Sequence, residues 1–427
     1  MSSIDPYIAL MAVSLVVITS YFFSQFSKKT NIPSVLLLIA FGAGLRQLAD
    51  AFGIGFVDKL GTPLELLGIV GLTMIVLEAA LDLKLQKEKS RLIATSFFSA
   101  LIGLFATSFG IAWALNHFYG SPFFTALVYA VPFGIMSSAI IIPSLGKLAS
   151  AKKEFLIYEG TFSDILGIML FYFLLGNQEA DGAGAVVSNV SLNILATVLL
   201  SLLVGYIMVI LLQRLRGEVK LFLLIALLIL LYAIGKKLHL SSLLMILTFG
   251  LLLNNYELFF RGKIAKWIDG EKLALVEKNF HIITLESAFV VRTFFFVVFG
   301  MTIDFASLAD WQTALVSLGI LALIYSLRFL TLGIFNRKGI LPALFIAPRG
   351  LITILLSFGI PKSFQLEELS AGTMLYVILG SSLIMTFALM SESKEEDVQQ
   401  LQLGELEELD QRIERMKQEA QSLHETG

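Results

Sequence analysis

The chain lacks cysteine altogether and has few charged residues. Among its 427 residues there is no Cys, four are His, and 15% are Asp, Glu, Lys or Arg. Without Cys the chain can form no disulfide, no thiolate metal site and no Cys-based nucleophile. Soluble domains carry about 25% charged residues. The low fraction therefore argues against a soluble protein.

Several functional motifs are also missing from the sequence. There is no Gly-rich nucleotide-binding motif, no Walker sequence and no His cluster at metal-ligand spacing, so the sequence offers no means of using ATP. A hydrolase would need a nucleophile with His, or a metal pair, inside the membrane, and neither is found. A channel would be expected to repeat a filter motif, and the sequence contains no such repeat. No cofactor, enzymatic activity or nucleic-acid partner is expected.

Long apolar runs dominate what is present. The chain is 57% hydrophobic, its mean hydropathy is +0.84, and a helix needs about 20 apolar residues to cross a bilayer. Thirteen candidate spans follow along the chain: 7–27, 33–49, 63–83, 92–117, 121–145, 154–176, 187–213, 219–235, 240–254, 280–303, 311–335, 339–360 and 370–390. The sequence predicts an all-α polytopic membrane protein with one membrane domain over residues 1–390.

Basic residues fall in alternate loops between these spans. Lys and Arg cluster after spans one, three, five, seven, nine and eleven, whereas most of the opposite loops are acidic or uncharged. Because cytoplasmic loops carry an excess of Lys and Arg, the N-terminus is expected outside and the C-terminus in the cytoplasm. Residues 391–427 form an acidic cytoplasmic tail. Its apolar residues recur every three or four positions, which is typical of a short coiled coil or of a solvated amphipathic tail.

Two of the spans carry Pro and Gly at corresponding places. Span five contains Pro132, Gly134 and Pro143, and span twelve contains Pro348 and Gly350. The two spans are seven apart, as expected if spans 1–6 and 8–13 are inverted repeats. One such helix would indicate only a kink. Two in corresponding positions indicate a transporter whose broken helices meet at a site near the bilayer midplane.

Span six carries two carboxylates, Glu159 and Asp164. A charge at the centre of a membrane helix costs about 2.5 to 3.5 kcal/mol on insertion scales, so both residues need a reason. A spacing of five residues places them about 140° apart around a helix. One carboxylate is then free to bind an ion and a proton, and the other to form a structural ion pair. Arg292, in span ten, also needs a partner. Glu159 is the favoured candidate and Glu286 the second.

With these residues in hand, the sequence resembles the cation:proton antiporter superfamily, and within it the NhaP-like sodium/proton exchangers. The motifs that carry the resemblance are Glu159-Gly160-Thr161-Phe162-Ser163-Asp164 in span six, Ser137-Ser138 followed by aliphatic residues in span five, Arg292-Thr293-Phe294-Phe295-Phe296, Pro348-Arg349-Gly350, and the acidic Glu78 in span three. They occur in the family's order and cover nearly the whole membrane domain.

The resemblance implies a fold of thirteen helices, a homodimer in lipid, and a core that moves against a dimer scaffold in a bacterial inner membrane. It implies that Asp164 binds cation and proton in turn, and that Glu159 pairs with Arg292 or with Arg349. The residues expected at the cation and proton site are Asp164, Ser163, Thr161, Ser137, Ser138 and Glu78.

The sequence departs from the family pattern at three places. Ser163 replaces Asn, Ser137-Ser138 replaces Thr-Asp, and Gly160 replaces Ser. Hydroxyl oxygens still suit a hard alkali cation. The expectation is one-for-one, electroneutral exchange of Na⁺ or Li⁺ for H⁺ with Asp164 as the carboxylate ligand. Because the Ser pair is also similar to potassium/proton members, K⁺/H⁺ exchange is an alternative, with a cation channel or a proton-coupled solute carrier as more distant ones.

Overall fold

The structure is a computed structural model. It describes residues 6–30, 32–51, 61–145, 148, 150–176, 199–211, 220–237, 242–260, 268–302, 310–336, 340–361, 364, 366 and 372–391. The acidic tail predicted for 391–427 lies outside the described residues, apart from its first residue.

Every regular element longer than one turn in the described ranges is an α-helix. In chain order the helices are α1 (Pro6–Thr30), α2 (Ser34–Ala51), α3 (Gly61–Asp82), α4 (Ser90–Tyr119), α5 (Phe123–Gly134), α6 (Ser138–Ser144), α7 (Ser150–Gly176), α8 (Leu199–Leu211), α9 (Lys220–Lys237), α10 (Ser242–Asn254), α11 (Tyr256–Phe259), α12 (Gly270–Thr302), α13 (Trp311–Phe335), α14 (Ile340–Ala343), α15 (Leu351–Phe358) and α16 (Gly372–Ser391). The predicted class of all-α polytopic membrane protein is confirmed.

Each predicted span coincides with at least one described helix. Within the ranges that the structure describes, eight segments are long and apolar enough to cross a bilayer by length and composition, and one of them, Phe123–Ser144, is α5 and α6 together. Spans five and twelve are the interrupted ones, as predicted. Span five is divided into α5 and α6, and span twelve into α14 and α15.

The helices pack in two groups. We call α1, α2, α3, α9, α10 and α12 the scaffold bundle, and α4, α5, α6, α7, α13 and α15 the core bundle, because most contacts between helices fall within one group or the other. Helix α16 joins the core bundle through Ser381, which lies beside the backbone of Arg349. Fewer contacts join the two bundles in the described ranges, chiefly those of α3 and α10 with α7, of α3 with α15 and of α1 with α6.

Two glycines allow α2 and α12 to cross closely in the scaffold bundle. A Cβ atom added to Gly42 would meet the carbonyl oxygen of Val297, and one added to Gly300 would meet that of Ile39. The contact is reciprocal, so the two backbones touch where neither helix has a side chain. Small residues commonly permit such close crossings between membrane helices. The close crossing joins two helices of the bundle that also carries α3.

The interruptions arise where proline removes a helix donor. Pro132 lies near the end of α5, and the chain is extended at Ile135 and Ser137 before α6 begins. Residues 346–350 are likewise non-helical before α15. Proline has no N–H group and disfavours helix in the preceding residue. The two non-helical segments, 135–137 and 346–350, are called the α5–α6 break and the α14–α15 break below.

Candidate functional site

Asp164 lies on α7 directly against the α5–α6 break. Its side chain is buried, with the residue 2% exposed. The backbone N–H of Ser138 donates to Asp164 Oδ2 at 3.0 Å. The neighbouring Ser163 Oγ accepts from the N–H of Met136 at 2.9 Å. These bonds satisfy two backbone donors that the break leaves without a helical partner.

Two glycines on α7 let the break lie close to Asp164. A Cβ at Gly167 would overlap the side chain of Ile135. A Cβ at Gly160 would lie 3.1 Å from Ile141 Cδ1 and 3.5 Å from Ser138 Cα. Gly160 and Gly167 are separated from Asp164 by four and three residues, so all three lie on one face of the helix. That face carries the α5–α6 break.

The two breaks are hydrogen-bonded to each other. The N–H of Ser137 donates to the carbonyl of Pro348 at 2.9 Å, and Thr353 Oγ1 donates to the carbonyl of Pro132 at 3.0 Å. Gly350 permits this approach, since a Cβ there would lie 2.6 Å from Ser137 Oγ. The carbonyls of Pro132 and Pro348 therefore both accept hydrogen bonds from the protein.

Two oxygen atoms at this site remain without a partner. Asp164 Oδ1 and Thr161 Oγ1 are both buried and accept no hydrogen bond from any described residue. No basic side chain of the described residues forms an ion pair with Asp164. A buried anionic oxygen without a partner is costly. Asp164 can avoid that cost by binding a proton or by coordinating a cation, and the hard oxygen donors around it suit an alkali cation.

Glu78 belongs to an ion pair within the scaffold bundle. Arg292 Nη2 on α12 lies 3.2 Å from Glu78 Oε1 on α3, and both side chains are largely buried. Helix α3, which carries Glu78, also packs against α7, which carries Asp164. The prediction that Arg292 pairs with Glu159 is wrong. Arg292 lies in the scaffold bundle and Glu159 in the core bundle, and α3 provides the carboxylate that reaches the guanidinium.

Glu159 pairs with Arg328 of α13. Arg328 Nη2 lies 2.9 Å from Glu159 Oε2, and Ser99 Oγ donates to Glu159 Oε1 at 2.6 Å. The guanidinium also donates to the carbonyls of Ala343 and Ile346. Arg328 was not among the residues predicted for the ion pair or the site. The signal was available, because Arg328 interrupts the apolar run 311–335 as Arg292 interrupts its own.

Arg349 joins the two breaks through backbone carbonyls and forms no ion pair with any residue that the structure describes. Its Nε donates to the carbonyl of Phe133 at 2.7 Å and its Nη1 to that of Ala347 at 2.6 Å. The predicted Glu159–Arg349 ion pair is therefore wrong, although Arg349 is within electrostatic range of Glu159. Arg349 and Arg328 both line a cavity of about 20 Å³ beside the α5–α6 break, which is room for one water molecule.

Comparison with known proteins identifies a family for nearly the whole chain. Residues 12–391 match the family described as sodium/hydrogen exchanger, transmembrane. No relative is found among curated protein sequences.

Two solved structures of one protein share the fold. They are structures of the sodium proton antiporter MjNhaP1 from Methanocaldococcus jannaschii. One, determined at pH 8, is 19% identical with a TM-score of 0.66, and the match covers 90% of this chain and 95% of that chain. The other, an electron-microscopy map, is 19% identical with a TM-score of 0.65, covering 94% and 98%.

Proposed function

Because the chain belongs to the sodium/hydrogen exchanger family, and is therefore an integral membrane cation/proton antiporter and not an enzyme, we propose that Asp164 is its exchange site. Protons and a monovalent cation compete for the Asp164 carboxylate, and each turnover exchanges one for the other. Na⁺ or Li⁺ is the favoured substrate.

A single observation carries this proposal: the unpartnered, buried oxygen Oδ1 of Asp164. In a low-dielectric surround the ionised carboxylate needs either H⁺ or a cation to remain buried. Occupancy by one therefore excludes the other. The fluxes are coupled by this competition, without any nucleotide or second catalytic group.

Oxygen donors around Asp164 define the class of cation. Thr161 Oγ1 is buried without a partner, and the hydroxyls of Ser137 and Ser138 lie in the adjoining break. Ser163 is a less favoured ligand than first expected, because its Oγ already accepts the N–H of Met136. Glu78 contributes across the boundary between the bundles, through its charge or through a bridging water. Such a set favours a small hard cation, with K⁺ as the alternative.

The direct test is proton movement driven by each alkali cation in turn. Purified protein is reconstituted into vesicles with an acidic lumen and a pH-sensitive dye. We expect Na⁺ and Li⁺ each to discharge the pH gradient, and K⁺ to have a smaller effect at equal concentration. A larger response to K⁺ would replace the sodium assignment by the potassium alternative. No response to any alkali cation would reject cation/proton exchange at Asp164.

We expect the exchange rate to be independent of membrane voltage. Asp164 is one carboxylate, and the nearby Glu78 and Glu159 are each held by an arginine. One H⁺ then exchanges for one monovalent cation, and no net charge moves. The measurement is the initial rate with and without an imposed potential. Moving one charge through 100 mV changes its energy by about 2.3 kcal/mol, so a rate that follows the voltage contradicts one-for-one exchange.

The division into two bundles allows exchange to proceed by movement of one bundle against the other. The core bundle carries Asp164 and both breaks, and it moves against the scaffold bundle so that Asp164 faces one side of the membrane at a time. The sparse contacts between the bundles, among the residues that the structure describes, support this part of the proposal. A homodimer in a bacterial inner membrane, with the N-terminus outside and the C-terminus cytoplasmic, completes it.

A further inference from the structure

The connector between α3 and α4 links the scaffold bundle to the core bundle. It begins after Asp82, at the end of α3, and ends where α4 starts at Ser90. It is therefore a covalent link that any movement of one bundle against the other must accommodate. The contacts that hold its first residues come from both bundles.

Asn255 holds the connector on the scaffold side. Its Oδ1 accepts the N–H of Leu85 at 2.6 Å, and its Nδ2 donates to the carbonyl of Leu83 at 2.9 Å. Nδ2 also donates to the carbonyl of Leu251 in α10 at 3.1 Å. The side chain is buried and uses both of its polar atoms. The side-chain amide therefore accepts from one backbone N–H of the connector and donates to one backbone carbonyl, as the backbone of an adjacent β-strand would. His281 of α12 adds a contact to Asp82 at 2.8 Å.

Tyr158 binds the same stretch from the core side. Its hydroxyl, on α7, donates to the carbonyl of Lys84 at 3.0 Å. Lys84 lies between the two residues that Asn255 holds. A second core contact follows further along the connector, where Lys89 Nζ lies 2.7 Å from Glu154 Oε1. Lys89 and Glu154 are each about one-third exposed, so this pair contributes little.

The Tyr158–Lys84 bond joins the helix that carries Asp164 to the chain segment that follows the helix of Glu78. Tyr158 precedes Asp164 on α7 by six residues, about 9 Å of helix, and Lys84 follows Glu78 by six residues. We propose that Tyr158 and Asn255 together form a junction that positions the Asp164 helix against the Glu78 helix, with Tyr158 as a positioning residue for exchange. The inference rests on the proposed movement of the core bundle. Movement of the core away from this arrangement breaks the Tyr158 bond while the Asn255 bonds persist.

The absence of native cysteine allows a direct test. Gly68 of α3 and Leu355 of α15 touch across the boundary between the bundles, since a Cβ at Gly68 would lie 2.8 Å from Leu355 Cδ2. The double variant Gly68→Cys with Leu355→Cys is made in the full-length chain. Its rate of disulfide formation measures how often the two bundles adopt the described arrangement. The same reporter is then combined with Tyr158→Phe, and exchange kinetics are measured for Tyr158→Phe alone.

Loss of one hydrogen bond of this kind should change the equilibrium between arrangements by roughly two- to tenfold. We expect slower disulfide formation, or a change of similar size in kcat or in KM for the cation. The matched control is Tyr206→Phe. It removes a hydroxyl bond to the carbonyl of Phe259 at 3.1 Å, outside the boundary between the bundles, and should leave both readouts unchanged.

Two outcomes separate this inference from the proposed function. If Tyr158→Phe matches Tyr206→Phe in disulfide formation, kcat and KM while the parent chain exchanges cations, the junction is wrong and the antiport stands. If the parent chain does not exchange cations at all, the proposed function fails. A slower disulfide with Tyr158→Phe would then still support the junction.

Discussion

Replacement of Asp164 by asparagine should abolish cation/proton exchange. Asparagine keeps the size of the side chain and an acceptor oxygen for the N–H of Ser138. It removes the negative charge and the titrating proton. Without the carboxylate, neither the proton nor the cation binds at residue 164, so no coupled flux remains. The measurement is cation-driven discharge of a pH gradient in vesicles, with size-exclusion chromatography to show that the variant is folded.

Asp310→Asn is the matched control for that experiment. Asp310 caps α13 by accepting the N–H groups of Gln312 and Thr313, and Asn caps helices about as well as Asp. Exchange by Asp310→Asn should therefore equal that of the parent chain. Exchange that survives in Asp164→Asn, above the background of protein-free vesicles, would show that another group carries the ions.

The second large effect is expected on stability. Glu159→Ala leaves the guanidinium of Arg328 buried without its carboxylate, which typically costs about 3–5 kcal/mol. Ser99 and two backbone carbonyls cannot replace the lost charge. We expect a strongly lowered thermal unfolding temperature in detergent, measured by loss of helical circular dichroism. Glu286→Ala is the control, because Glu286 is exposed on α12.

A double variant tests whether the loss comes from the unpaired charge. Glu159→Leu with Arg328→Met removes both partners, and replacing a buried ion pair by apolar residues is often neutral for stability. The double variant should therefore be more stable than Glu159→Ala. A double variant as unstable as the single one would mean that the shape of the site matters more than the pairing of charges.

The span positions and both breaks could be predicted because they depend on local properties of the chain. A run of apolar residues fixes where a helix can cross a bilayer, and Pro132 and Pro348 weaken the helix locally because proline lacks the N–H group that a helix uses. The burial of Asp164 beside Ser138 could also be anticipated, since corresponding breaks meet at the centre of inverted repeats.

The partners of the buried arginines could not be derived in the same way. Pairing Arg292 with Glu159 required the two residues to share a bundle, and sequence alone does not show which helices pack together. The structure places Arg292 beside α3, where Glu78 meets it. Glu159 pairs instead with Arg328. The position of Arg328 within an apolar run was the one sign in the sequence that it needed a buried partner.

The hydrogen bond between Ser137 and Pro348 joins the first half of the chain to the second. The α5–α6 break provides the N–H donor and the α14–α15 break the carbonyl acceptor. A change in the shape of one break alone would therefore leave a backbone group of the other unsatisfied. The proposed cation site therefore lies where two distant stretches of sequence meet. A lasting change of ion preference in this protein would require concerted substitutions in both.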